Sequence, residues 1–89
     1  MQLDVLYFGQ LREAAGKPQE LVTIEDGAKL ADLLASLKAR FGPAFSRELR
    51  PARKPLFLLN GRNVQSLAGL DTPLQNGDTL AILPATFGG

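Results

Sequence analysis

The hydrophobic period of this chain changes twice, and that alternation leaves few folds open to it. From Ala28 onward, Leu30, Leu33, Leu34, Leu37 and Phe41 recur at i, i+3, i+4, i+7 and i+11, the spacing that gathers apolar side chains on one face of an α-helix. Lys29, Asp32, Ser36 and Lys38 fall on the opposite face, and Gly42-Pro43 closes the run with a C-terminal glycine followed by proline. On either side of this helix the pattern is that of strands. In residues 2–8, Leu3, Val5 and Tyr7 occupy one face and Gln2, Asp4, Leu6 and Phe8 the other, a period of two. The second half of that strand is apolar on both faces, so Leu6 and Phe8 are either covered by another element or held for a partner.

Turn chemistry divides the rest. Residues 11–15 favour a short helical turn, and Gly16-Lys17-Pro18 stops it. Residues 20–25, rich in β-branched side chains, read as the antiparallel mate of the first strand, closed by Asp26-Gly27. Residues 47–55 carry Arg47, Arg50, Arg53 and Lys54 against a single acid, Glu48, and prolines bound the segment. It reads as a solvated connection, with an anion-binding or docking surface as the sharper alternative; it is too short and too poor in aromatics to argue for nucleic acid. Leu56-Phe57-Leu58-Leu59 is a continuous apolar run, expected of a strand buried on both faces, and Asn60-Gly61 is a hairpin signal before a short strand near 62–64. Residues 67–74 form a loop punctuated by Gly69 and Thr72-Pro73. Asn76-Gly77-Asp78 then turns the chain into a last strand over 79–83, apolar enough to lie inside a sheet.

The order β-β-α-β-β-β predicts an α+β fold of the β-grasp, ubiquitin-like kind: a mixed sheet with one main helix packed across it. With an antiparallel first hairpin and a crossover through the helix, the first and last strands lie side by side, in parallel, at the centre. At 89 residues the chain is one domain, with residues 1–83 as the β-grasp body and 84–89 as a tail. It has no cysteine and no histidine, which removes thiolate nucleophiles, the commonest general base and the commonest zinc ligands. No metal site and no autonomous active site are expected. No apolar stretch approaches the roughly 18 residues of a spanning helix, and the N-terminus lacks the basic start of a secretory signal. No membrane association and a cytoplasmic location are the expectation.

The tail carries the functional signal. Pro84-Ala85-Thr86-Phe87-Gly88-Gly89 follows the last strand. At about 3.4 Å per residue its extended length is roughly 20 Å, enough to reach a deep active site on another protein. Two glycines without side chains thread a narrow channel. With average glycine usage near 7%, a terminal pair arises by accident in about one chain in 200, so the pair is informative once joined to the β-grasp order.

These residues resemble a known family, the small subunit of molybdopterin synthase, within the wider group of ubiquitin-like sulfur carriers that includes the thiamine-pathway carrier. The resemblance rests on Val5-Leu6-Tyr7-Phe8-Gly9-Gln10-Leu11-Arg12-Glu13, Asn60-Gly61-Arg62, Thr72-Pro73-Leu74, Asn76-Gly77-Asp78, Pro84 and Gly88-Gly89, in that order. It implies that Gly89 is the reacting residue. A partner adenylating enzyme of the ubiquitin-activating type would use ATP and magnesium to turn the Gly89 carboxylate into an acyl-adenylate, and a persulfide protein would donate the sulfur of a thiocarboxylate. The molybdopterin synthase large subunit would receive the tail and pass that sulfur to a pterin, making the dithiolene of the molybdenum or tungsten cofactor. No cofactor is bound by the chain itself. Gly88 and Phe87 would be the threading segment, and Phe8, Phe57, Leu59 and Arg12 candidates for partner docking. The family tail usually reads Pro-Pro-Val-small-Gly-Gly; here Ala85, Thr86 and Phe87 depart from it. Two alternatives stay open: a sulfur carrier for another route, such as transfer-RNA thiolation, thiamine or cysteine, and a protein modifier that forms isopeptides through Gly89.

Overall fold

The computed structural model of the chain describes residues 1–85. Five strands form one sheet: β1 (Gln2–Tyr7), β2 (Gln19–Thr23), β3 (Leu56–Leu59), β4 (Arg62–Asn63) and β5 (Thr79–Leu83). Their spatial order is β2-β1-β5-β3-β4. β1 pairs antiparallel with β2 and parallel with β5, which in turn pairs antiparallel with β3. The last strand is therefore central, as the sequence predicts. A parallel neighbour needs a crossover, and α2 (Leu30–Phe41) supplies it, packed on one face of the sheet.

The period-two reading of β1 holds: Leu3, Val5 and Tyr7 are buried, while Asp4 and Leu6 are half-buried on the other face. In register with them on the helix-covered side stand Val22 of β2, Leu80 and Ile82 of β5, and Phe57 and Leu59 of β3. Leu30, Leu33, Leu34 and Leu37 of α2 close this core from above. The helix starts without a side chain on Lys29 capping it; instead the Asp32 carboxylate accepts the Lys29 backbone N–H at 2.8 Å, satisfying a donor that the first turn leaves open.

Two short helices flank the main one. α1 (Gly9–Ala15) ends at Gly16, which takes the left-handed conformation (φ 78°) and returns its N–H to the Arg12 carbonyl, a conformation that glycine adopts without steric cost. α3 (Pro43–Glu48) was not expected. Gly42-Pro43 ends α2, but proline is also favoured at a helix's first position, where no N–H is needed, and Pro43 starts α3 there. The helix drives Phe45 into the core, where its ring meets Tyr7 and Phe41 at centroid distances of 5.8 and 5.0 Å. The connection read as 47–55 thus begins inside a helix, then makes a single 3-10 turn at Pro51–Arg53. The Asn60-Gly61 turn forms as expected, both residues at positive φ (51° and 83°), the pairing a type I′ hairpin requires.

One polar cluster lies within the core's margin. The Tyr7 hydroxyl, from the inner face of β1, donates to the Glu20 carboxylate on β2, which also receives both terminal nitrogens of Arg40 near the end of α2. Burial, and then the hydrogen bond to Glu20, pushes the Tyr7 hydroxyl far above its ordinary pKa. Burial acts to raise the Glu20 pKa as well, yet the hydrogen bonds from Arg40 and Tyr7 outweigh it and hold the carboxyl below the usual range. The cluster ties the edge strand to the main helix with every partner satisfied.

Candidate functional site: the exit of the last strand and the open face beside it

The site is built where β5 leaves the sheet. Ile82 accepts a hydrogen bond from the Phe8 N–H at 3.2 Å, so the end of β1 is fastened to the last residues before the tail. Pro84 is buried, and with Ala85 it borders a small hollow of about 90 Å³ shared with Gln10, Glu48 and Arg53. Glu48 and Arg53 pair at 3.9 Å across this hollow. The chain thus leaves the body between α1 and the end of α3. Phe87, Gly88 and Gly89, the threading and reacting residues expected from the sequence, lie outside the described residues.

Of the four docking candidates, the structure brings two to this exit. Arg12 stands 5.9 Å from the centroid of the Phe8 ring, a cation–π distance, and its Nε donates to the Tyr7 carbonyl at 3.3 Å. Phe8 is half-buried and Arg12 exposed. The other two are corrected: Phe57 and Leu59 are 9% and 7% exposed and face α2. They are core, because β3 is not covered on both sides and the alternate residues, not these, look outward.

Of the residues that do look outward, the sequence marks Leu6 as either covered or held for a partner; Leu56, Leu58, Ala81 and Leu83 were missed as site candidates. Leu6, Ala81 and Leu58 lie abreast on three adjacent strands, with Leu83 and Leu56 abreast one step on. All five are half-buried, on the face opposite α2. Leu21 of β2 extends the patch at 65% exposure. No helix of the described chain crosses this face, so it is an apolar surface of the kind that contacts another molecule. Its one acid, Asp4, holds a buried carboxylate oxygen with no hydrogen-bond partner among the described residues. The signal was present in the period: once Leu59 is placed inward opposite Leu80, Leu58 must point outward.

Among the described residues no three acidic, histidine or cysteine side chains gather as a metal site, and no helix is long and apolar enough to cross a membrane.

Residues 5–89 match the ThiS family. The chain belongs to that family. Small archaeal modifier protein 3 of Haloferax volcanii is 33% identical over the full length of both chains. The molybdopterin synthase sulfur carrier subunit of Chlamydomonas reinhardtii is 36% identical, again over the whole of both. The solution structure of small archaeal modifier protein 1 from Methanosarcina acetivorans superposes with a TM-score of 0.78 at 33% identity, covering 99% of this chain and 96% of that one. CysO of Amycolatopsis orientalis, seen in a complex with BexX, matches with a TM-score of 0.72 at 26% identity over 98% and 99% of the two chains. The ubiquitin-like fold and the kinship to molybdopterin synthase sulfur carriers expected from the sequence are borne out.

Proposed function

We propose that this ThiS-family chain is a sulfur carrier, serving as the small subunit of a molybdopterin synthase, with sulfur held as a thiocarboxylate on Gly89. The observation that carries this reading is full-length similarity to a molybdopterin synthase sulfur carrier subunit, in a chain whose central strand is followed in sequence, after Pro84-Ala85-Thr86-Phe87, by Gly88-Gly89. A carboxylate is a poor acyl electrophile, since its charge is delocalised and oxide is a bad leaving group. Activation therefore comes first. A partner adenylating enzyme joins the Gly89 carboxylate to the AMP part of ATP, with magnesium at the phosphates and pyrophosphate released. A persulfide sulfur attacks the acyl carbon and AMP departs; a second thiol then cleaves the sulfur–sulfur bond and leaves the thiocarboxylate. The large subunit takes the tail and transfers that sulfur to the pterin.

In this reading the body of the chain contributes docking and aim. The outer sheet face of Leu6, Leu56, Leu58, Ala81 and Leu83 seats the partners, and Phe8 and Arg12 lie where a partner meets the tail's root. Incubation of the full chain with ATP, a persulfide donor and an adenylating enzyme of the same host tests it by intact mass. A gain of about 16 Da confined to Gly89, sulfur replacing oxygen, supports it; an unchanged terminus rejects it. The similarity to small archaeal modifier protein 3 favours a second reading, attachment of Gly89 to lysines of other proteins through the same acyl-adenylate. An immunoblot of cells making tagged chain separates the two, a ladder of larger conjugates marking modification.

A further inference from the structure

On the helix side of the molecule, away from the outer sheet face, lies a cleft of about 460 Å³ to which the proposed function assigns no part. α2 forms one wall; the Pro51–Arg53 turn with the following residues forms another, and the turns near 64–66 and 69–71 form the third. Its floor is apolar: Leu34, Leu49, Phe57 and Val64, each buried to at least nine-tenths. At its rim Leu70 is 54% exposed, and among the described residues only Leu21 of the outer face is a comparably exposed large apolar side chain. The volume falls in the range of pockets that hold ligands.

The charge of the rim selects the ligand. Lys38 of α2 and Lys54 of the connection are the charged residues that line the cleft, with no acid among them. Neither forms an ion pair among the described residues, whereas Lys17, Lys29, Arg40 and Arg53 all do. Lys54 also sits in the left-handed region (φ 51°, ψ 53°), a conformation that costs a residue with a side chain and is usually left to glycine or asparagine. Strain of this kind is tolerated where the fold holds a side chain at a working position. Here it sets an ammonium group beside an apolar trough.

We propose that this cleft docks an acidic–apolar peptide segment of a partner protein, its apolar side chains against Ala31, Pro55 and Leu70 above the buried floor and its carboxylates on Lys38 and Lys54. The site lies on the opposite side of the sheet from Leu6, Leu58 and Leu83, so both surfaces accept partners at once. The proposal goes beyond the carrier reading and does not depend on Gly89. A fluorescein-labelled peptide of sequence Glu-Asp-Leu-Phe-Asp-Glu, titrated against the full ¹⁵N-labelled chain, provides the probe. Saturable amide shifts are expected at Leu34, Gln65 and Leu70, unchanged in a chain lacking Gly89. Joint Lys38→Glu and Lys54→Glu substitution weakens binding about tenfold, the corresponding arginine pair retains it, and a Lys-Lys-Leu-Phe-Lys-Lys probe does not saturate. Shifts centred on Leu6 and Leu58 overturn the proposal, as does binding that ignores the charge reversals or accepts the basic probe equally well.

Discussion

The two sides of strand β3 differ by a single residue step and answer to different demands. Phe57 and Leu59 point at α2 and are packed among Leu80, Ile82 and the helix; Leu56 and Leu58 point the other way and stay half-exposed. All four are apolar, so composition does not separate them. What separates them is company: a side chain within the core loses close-packed contacts when shortened, whereas one on the outer face loses only water-facing area. The inner side holds the fold together, and in the proposed function the outer side waits for a partner.

The sharpest way to break this contrast is to truncate both sides. Phe57→Ala is expected to cost about 3–5 kcal/mol, read as a fall in the denaturant midpoint, and Leu58→Ala on the adjacent residue less than about 1 kcal/mol. Equal losses for the two would erase the distinction. Leu37→Ala, from the helix wall of the same core, belongs with Phe57 at about 2–5 kcal/mol; a near-wild-type midpoint would mean the helix stripe is not packed as described. Arg40→Ala is expected to cost about 1 kcal/mol, since it removes one partner of a cluster at the core's edge while leaving Tyr7 bonded to Glu20.

That cluster also gives the contrast a pH dependence. The Glu20 carboxyl is held below its unfolded value, so its contribution is fully present above the ordinary carboxylate range and is lost as the pH falls through the depressed folded value. Urea melts of wild type and Arg40→Ala should converge as the solution is acidified, and a gap that widens in acid would refute the assignment. The smallest expected effect on stability is that of deleting Gly89. The midpoint should not move by more than about 0.5 kcal/mol, while the gain in mass on sulfuration disappears; a large drop in midpoint would place that residue in the body rather than at its service.

Much of this architecture was legible before the structure, and for local reasons. β1 alternates cleanly, α2 carries its stripe, and Asn60-Gly61 demands one kind of turn, so each announces itself within a few residues. The parallel pairing of β1 with β5 followed from the order of elements. α3 did not, because Gly42-Pro43 marks an ending and a beginning with the same two residues, and Phe45 and Leu49 are too few to show a period. The misplacement of Phe57 and Leu59 has another cause: a run of four apolar residues carries no information about which face is covered. The covering helix is more than fifteen residues earlier in the chain, and only its docking decides. The Tyr7–Glu20–Arg40 cluster was equally invisible, its three members scattered over two strands and a helix. As for the tail, Gly88-Gly89 was conspicuous in the sequence, while the apolar outer face emerges only when five residues from three strands are set abreast.

The central position of β5 has a mechanical consequence. In the proposed function a partner that draws on the tail loads β5, which is flanked on one side by β1 and on the other by β3. The backbone hydrogen bonds of both ladders then bear the load together in shear, instead of parting one after another as they would if an edge strand were peeled. Tension that reaches β5 is thereby shared between two ladders at the middle of the sheet rather than borne by one at its edge.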